Sequence, residues 1–303
     1  MSSAKTPTPF LKWAGGKHQL LRQLAPLLPA QWGQYHEPFL GGGAVYFFLA
    51  SQGEITTATL SDVNPELVNC YVAVRDEVGG VVRNLRRHAK AHCGEYYYKM
   101  RAMDPSGMSV TARAARTIYL NKTCYNGLYR VNSRGWFNVP IGSYKKPAIC
   151  DDGSLRLASS ALMKTLLRVA NFRSVLEVAR HGDFVYLDPP YMPVSDTASF
   201  TAYSSGRFDE SCHRELADVY GELDARGCFV MLSNSEVPLV RTLYAKWRIE
   251  AVSARRIINC DATSRGPITE LVVLNYDPVG LPAARQGEFP FDRTRSREQE
   301  TGT

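Results

Sequence analysis

Paired cysteines are missing from this chain. Its seven cysteines (Cys70, Cys93, Cys124, Cys150, Cys212, Cys228 and Cys260) are odd in number and scattered, and none stands in C-x-x-C spacing. A disulfide framework and a zinc ribbon are both disfavoured, and reduced thiols in a cytoplasmic protein are expected. Long apolar runs are also missing. No stretch approaches the length that spans a bilayer, and Met1–Pro9 is too polar for a secretion signal, so no membrane is expected. Metal motifs are absent as well. His88 and His92 lie one helical turn apart, but the Glu of H-E-x-x-H is lacking and the neighbours are basic. That pattern predicts a solvated helix face and no metal site. No internal repeat interrupts the chain.

The 303 residues otherwise have ordinary globular composition, 45% hydrophobic and 21% charged, enough for one large domain and a smaller one. The net charge of +7 is unevenly placed. Residues 65–150 hold 14 Lys/Arg against five acids (Glu66, Asp76, Glu77, Glu95 and Asp104), leaving the remainder slightly acidic. Any one basic cluster is commonly a solvated face, but this segregation is the footprint of a polyanion binder.

Residues 183–191, Asp-Phe-Val-Tyr-Leu-Asp-Pro-Pro-Tyr, organise the rest. The apolar run predicts a buried strand, and the two prolines stop it because neither can donate to a sheet ladder. At the carboxyl edge of an open α/β sheet, strand ends of this kind line ligand sites. Asp188, the Pro189 carbonyl, Pro190 and Tyr191 together suit a flat, weakly nucleophilic amine. The acid and carbonyl accept its hydrogens and the ring stacks on it. A plain strand-terminating turn with a capping Asp reads equally well from this tetrapeptide alone.

Two upstream stretches add to it. Phe10-Leu11-Lys12-Trp13-Ala14-Gly15-Gly16-Lys17 sets an aromatic and two glycines before a helical stretch, His18 to Leu28. Trp13 suits stacking on an adenine or a sulfonium cation, or a place in the core. Glu37-Pro38-Phe39-Leu40-Gly41-Gly42-Gly43 reads as a short strand, Glu37 to Leu40, feeding a glycine turn and a helix, Ala44–Ser51. The turn lacks the G-x-G-x-x-G fingerprint because Tyr46 stands at the third glycine position, and no P-loop Lys-Ser/Thr follows. A cradle for a nucleoside without phosphates remains. The next strand, Ile55–Leu60, leads to Asp62, about 20 residues past the glycines, where a carboxylate meets ribose hydroxyls or caps the following helix.

These three motifs in this order closely resemble the Dam-type DNA adenine methyltransferases, the α-class amino-methyltransferases. Tyr125-Asn126-Gly127-Leu128, Phe137-Asn138-Val139-Pro140 and Ser195–Tyr203 match as well, so the resemblance spans about Phe10 to Tyr276. It implies a Rossmann-like α/β sheet for S-adenosyl-L-methionine (AdoMet) with helices on both faces, built from residues 1–64 and 151–278. An inserted, mostly helical target-recognition domain with a β-hairpin would occupy 65–150, and 279–303 a disordered tail. It assigns the donor, and its product S-adenosyl-L-homocysteine, to Trp13, Ala14, Gly15, Lys17, Glu37, Pro38, Phe39, Gly41, Gly43, Asp62, Phe172 and Asp188. Lys12 goes to DNA; Arg130 reads a guanine; Leu128 and Pro140 face thymine; Tyr125 and Asn126 fill the gap left by an extruded base. Asn132, Asn138, Tyr144 and Lys145 hold backbone or flanking groups, and Ser195, Thr197 and Ser199 suit phosphates. Ser143 and Trp136 depart from the family, standing where Arg and Glu are frequent, and both bear on outer-base discrimination at GATC.

The elements expected in the middle segment are helices at Glu66–Asp76, Val81–His92, Tyr96–Met103 and Thr111–Leu120, then a hairpin pairing Trp136–Val139 with Ile141–Lys145. A long hydroxyl-rich loop, Met192–Phe208, with Phe200 and Tyr203 as its large side chains, reads as a lid. A helix capped by Asp209 and stopped at Gly227, a strand Cys228–Leu232 and a closing hairpin (247–258 with 268–276) complete the chain. The reaction implied is methyl transfer to the 6-amino group of adenine in duplex DNA after base flipping, by a monomer in the cytoplasm. A non-catalytic DNA-binding regulator, or an RNA or protein amino-methyltransferase on the same fold, are the competing readings.

Overall fold

The computed structural model describes residues 6–13, 17–191, 208–254 and 268–280. Seven strands form one sheet in the order β3-β2-β1-β4-β5-β7-β6. They are β1 (Tyr35–Glu37), β2 (Ala58–Asp62), β3 (Thr165–Val169), β4 (Phe184–Leu187), β5 (Phe229–Ser235), β6 (Arg248–Ala254) and β7 (Ile268–Leu274). The first five are parallel, while β7 runs antiparallel between β5 and β6. Strand order reverses between β1 and β4, and the crevice outside their carboxyl ends is where such sheets bind ligands. The expected strands are present with shifted ends: β1 stops at Glu37, so Pro38–Leu40 already belongs to the turn.

β4 is buried throughout because both faces are covered, which explains its unbroken apolar sequence. Its lower end is tied to β1 by Asp183. One carboxylate oxygen accepts the Gln34 N–H (2.8 Å); the other accepts the Arg180 N–H (2.8 Å) and faces His36 Nε2 (3.0 Å). Burial holds the His36 imidazole below its ordinary pKa, although the Asp183 hydrogen bond opposes this.

Helices Leu21–Leu24 (α1), Ala44–Ser51 (α2) and Pro65–Ala91 (α3) follow in order. The helix expected over 18–28 is instead α1 flanked by two 3-10 turns, Lys17–Gln19 and Ala25–Leu27, because Pro26 cannot donate within a continuing helix. α3 joins the two helices expected at 66–76 and 81–92, and the break between them survives as non-helical dihedrals at Glu77 (φ −137°, ψ 43°). Its cap is Asn64, whose Oδ1 accepts from Glu66 N (3.0 Å) and Leu67 N (3.3 Å). Gly94–Ala102 (α4) and Val110–Thr123 (α5) complete the helical middle segment. One hydrophobic cluster runs from the sheet through Val81, Leu85, Tyr97 and Ile118 to Val139.

Two expectations in this segment fail. His88 is not on a solvated face: it is buried, stacks on Tyr119 (4.9 Å, 18°) and hydrogen-bonds the Tyr96 hydroxyl (2.8 Å). Its neutral ring serves as an aromatic, and burial lowers its pKa to about 4. Nor does the expected hairpin form. Val131 bridges Phe137 across a turn made by Asn132, whose Oδ1 accepts the Arg134 and Trp136 N–H groups (3.0 Å each). Ile141 bridges back to Cys124 instead, with Tyr125 N donating to the Pro140 carbonyl (2.9 Å). Pro140 alone would have to make the expected turn, fewer residues than a tight hairpin loop needs, and the pairing moves one segment upstream.

Asp152–Leu162 (α6), Val175–Val178 (α7), Glu210–Ala225 (α8) and Pro238–Leu243 (α9) flank the later strands. α8 is capped by Asp209, which accepts from Cys212 N (3.1 Å), and the chain turns at Gly227 (φ 80°). Phe200 and Tyr203 of the expected lid and residues 281–303 of the expected tail lie outside the described residues.

Replacing Asp183 with Ala leaves two backbone N–H groups and His36 without their acceptor. The variant should lose at least about 2 kcal/mol of unfolding free energy. A urea titration would register this as a lower midpoint at unchanged slope.

Candidate active site

β4 delivers Asp188 to the rim at the strand-order reversal, and Pro189-Pro190 end the ladder there. Around the acid the structure gathers residues far apart in sequence. Lys17, only 3% exposed, places Nζ 2.7 Å from Asp188 Oδ1 and 4.5 Å from the centre of the Tyr191 ring. The same ammonium lies 3.8 Å from Glu270 Oε2, and the Tyr191 hydroxyl donates to that oxygen at 2.5 Å. One ammonium thus faces two carboxylates beneath an aromatic ring.

Burial raises the Asp188 pKa to about 6, and the adjacent Lys17 charge opposes the rise. Glu37, one strand away, has no cationic partner among the described residues. Burial pushes its carboxyl up to about 8, assisted by the Asp188 and Asp62 charges and resisted by the Tyr35 hydroxyl, which donates to it at 2.9 Å.

The glycine turn forms the second part of the site. Gly41 and Gly43 adopt positive φ (48° and 64°), and a side chain at Gly41 would press on the Trp13 ring 3.0 Å away. Asp62 spans this turn and the start of α3: Oδ2 accepts the Gly41 N–H (3.1 Å), Oδ1 that of Asn64 (2.9 Å). Asp62 therefore supports the helix cap rather than being it. Across the rim Phe39 stacks on Phe172 (5.4 Å, 21°), and Phe208 meets both rings edge-on. Rings for a base, a carboxylate for hydroxyls and a glycine turn open to close approach fit the nucleoside of AdoMet. Of the residues assigned to this donor, Pro38 lies in the turn after β1, while Ala14 and Gly15 fall outside the described residues.

Beside this lies the basic segment. Asn121, which sequence reading passed over, clamps it to the amino-terminal strip: its Oδ1 accepts the Lys12 N–H (2.8 Å), and its amide donates to Lys12 O (2.7 Å) and Gly127 O (2.9 Å). Gly127 (φ 64°) passes so near Lys12 that a Cβ would lie 2.6 Å from Lys12 Cβ. Trp13 stacks on Tyr129 (5.2 Å, 28°), and Lys12 Nζ sits over Tyr144 (4.4 Å). Tyr125, Leu128, Trp136 and Tyr144 are exposed large side chains on this face, and Asn126 beside them takes a left-handed conformation (φ 53°). Arg130 is exposed but oriented, since Asn138 accepts from its Nε through Oδ1 (2.7 Å). Asn132, Pro140 and Lys145 are exposed on the same segment, whereas Ser195, Thr197 and Ser199 lie outside the described residues. A separate cavity of about 360 Å³ lies between Arg113, Arg116, Tyr129 and Trp136, away from Asp188.

A mostly parallel sheet with a reversed penultimate strand, a glycine turn and an acid rim at its switch point make a Rossmann-like α/β fold with a ligand crevice. Residues 13–258 match the family of D12 class N6 adenine-specific DNA methyltransferases. The Type II methyltransferase M1.LlaDCHI of Lactococcus lactis subsp. cremoris is 41% identical over 274 residues, covering 88% of this chain and 95% of that protein. The Type II methyltransferase M.MjaIII of Methanocaldococcus jannaschii is 40% identical over 285 residues (88% and 99%). The DNA adenine methylase of Escherichia coli strain K12 is 33% identical over 279 residues (91% and 98%). This chain belongs to the D12 class of adenine-specific DNA methyltransferases. Among its described residues no helix is long and apolar enough to cross a membrane.

A carbon-detected NMR titration of the Asp188 carboxyl should give a midpoint near the expected value of about 6. Lys17→Met removes the opposing charge and should move that midpoint to higher pH. A downward move would contradict the account of the ion pair.

Proposed function

We propose that this enzyme methylates the 6-amino group of adenine in double-stranded DNA at GATC, using AdoMet and an extruded target base. The observation that carries the reading is the half-buried Asp188 carboxylate, 2.7 Å from a Lys17 ammonium that lies over the Tyr191 ring, at the rim next to the glycine turn. The 6-amino group is a poor nucleophile because its lone pair is delocalised into the ring. AdoMet, when bound, supplies a methyl group already activated by its sulfonium charge, so the reading calls for no metal. Trp13, Lys17, Glu37, Phe39, Asp62 and Phe172 would hold the donor, with Gly41 and Gly43 allowing close backbone approach.

Asp188 and the Pro189 carbonyl accept the two amine hydrogens, drawing the nitrogen toward tetrahedral geometry and freeing its lone pair. As the nitrogen becomes cationic, a carboxylate aimed at it stabilises the transition state more than the ground state. Tyr191 stacks on the base, which offsets part of the cost of unstacking it, roughly a few kcal/mol. The exposed Tyr125 and Asn126 would fill the space the base leaves, with Leu128 and Pro140 against thymine methyls and Arg130 on a guanine. The Asn138 contact supports that last role, because it fixes the plane of the guanidinium before DNA arrives. Lys12, Asn132, Asn138, Tyr144 and Lys145 would hold the DNA backbone and flanking groups. The enzyme is read as a cytoplasmic monomer, and the described cysteines carry no disulfide.

Transfer of labelled methyl from AdoMet to GATC-containing duplex, compared with GATC-free duplex, RNA and protein, tests the whole reading. Asp188→Ala should abolish transfer while duplex binding persists, and undiminished turnover would remove Asp188 from its role. Arg130→Ala should relax base choice at one position of the site, at about 1–3 kcal/mol of discrimination. Methylation mapped over a randomised target library would show it, and an unaltered profile would count against the contact.

A further inference from the structure

Glu270 belongs to no motif, yet it lies at the centre of the transfer site. β7 runs opposite to its neighbours, so its first residues reach the rim where β4 and β5 end. Glu270 there pairs across the sheet with Ser235, the last residue of β5. Its Oε2 makes two contacts at once: it accepts the Tyr191 hydroxyl (2.5 Å) and faces Lys17 Nζ (3.8 Å). Lys17 in turn is held 2.7 Å from Asp188 Oδ1.

A buried acid meant to accept hydrogens from an incoming amine faces a conflict. Unpaired, its charge is costly; paired too closely with an ammonium, its lone pairs are engaged. A second carboxylate next to the same ammonium relieves this, because the cation is then shared. We infer that Glu270 is a positioning residue for methyl transfer: it shares the Lys17 ammonium, leaving Asp188 available to the amine, and fixes the Tyr191 ring through its hydroxyl. The inference rests on the reading of Asp188 as the acceptor of the adenine amine.

The two jobs separate by substitution. Glu270→Gln keeps an acceptor for the Tyr191 hydroxyl but removes the charge that attracts Lys17. Tyr191→Phe removes the hydroxyl and keeps the ring. The readout is equilibrium affinity of the full-length protein, with S-adenosylhomocysteine present, for two duplexes. They are identical, each with the target base opposite an abasic site so that no base pair is broken on extrusion, except that this base is adenine in one and purine, which lacks the 6-amino group, in the other. The ratio of the two affinities isolates the amine contact from phosphate binding and from the cost of extrusion.

Glu270→Gln should lower this ratio by about tenfold relative to wild type. Tyr191→Phe should weaken both duplexes together, leaving the ratio within about twofold. In a Lys17→Met background Glu270→Gln should change the ratio no further, since its effect passes through the ammonium. Should Glu270→Gln fail to fold, Glu270→Asp, which draws the charge back from Lys17, should lower the ratio part of the way. An unchanged ratio in a folded Glu270→Gln or Glu270→Asp protein overturns the inference. Wild-type protein that binds both duplexes with equal affinity would instead overturn the assignment of Asp188 as amine acceptor.

Discussion

A half-buried carboxylate paired with a buried ammonium at a sheet rim is the interaction on which the rest of this structure depends. Burial raises the Asp188 pKa to about 6, and the Lys17 charge 2.7 Å away opposes that rise. The strand that carries Asp188 must be rigid to hold it there, and β4 is buried on both faces with its lower end stapled by Asp183. Lys17 is brought in from the opposite direction by a short turn before α1. Binding a cationic donor and an amine at such a pair is a matter of exchanging partners, not of creating charge.

The second constraint is mechanical. Asn121 holds the strip carrying Lys12 and Trp13 against the Gly127 turn with three hydrogen bonds. The strip's next described residue is Lys17, which reaches Asp188, so the acid rim and the basic segment share one short piece of chain. Trp13 stacking on Tyr129 and Lys12 over Tyr144 extend the same contact. An aromatic and amide-rich junction suits this place because it joins two surfaces without adding like charges to a segment already strongly basic.

Much of the fold and part of the site was legible in the sequence, for identifiable reasons. The Asp188 strand could be read because prolines end it, and the glycine turn because α2 begins at once after it. Asp62 was singled out by its distance from the glycines, for ribose hydroxyls or as the helix cap, and the structure gives that cap to Asn64. Glu270 carried no signal: it is one acid in an ordinary strand, and only the antiparallel direction of β7 brings it to Tyr191. Asn121 was hidden for a similar reason, since its partners lie over a hundred residues upstream and in a turn just beyond its helix. The misplaced hairpin shows local pattern failing against a single proline, and buried His88 shows a polar name hiding an aromatic role.

β7 lies between β5 and β6 although it follows both along the chain. During synthesis on a ribosome, β6 therefore has no neighbour to join until residues 268–274 have emerged. A nascent chain paused before that point carries every upstream motif but has an open sheet edge beside β5. The gap closes only when β7 inserts, so the rim can be finished only after residue 274 has been made.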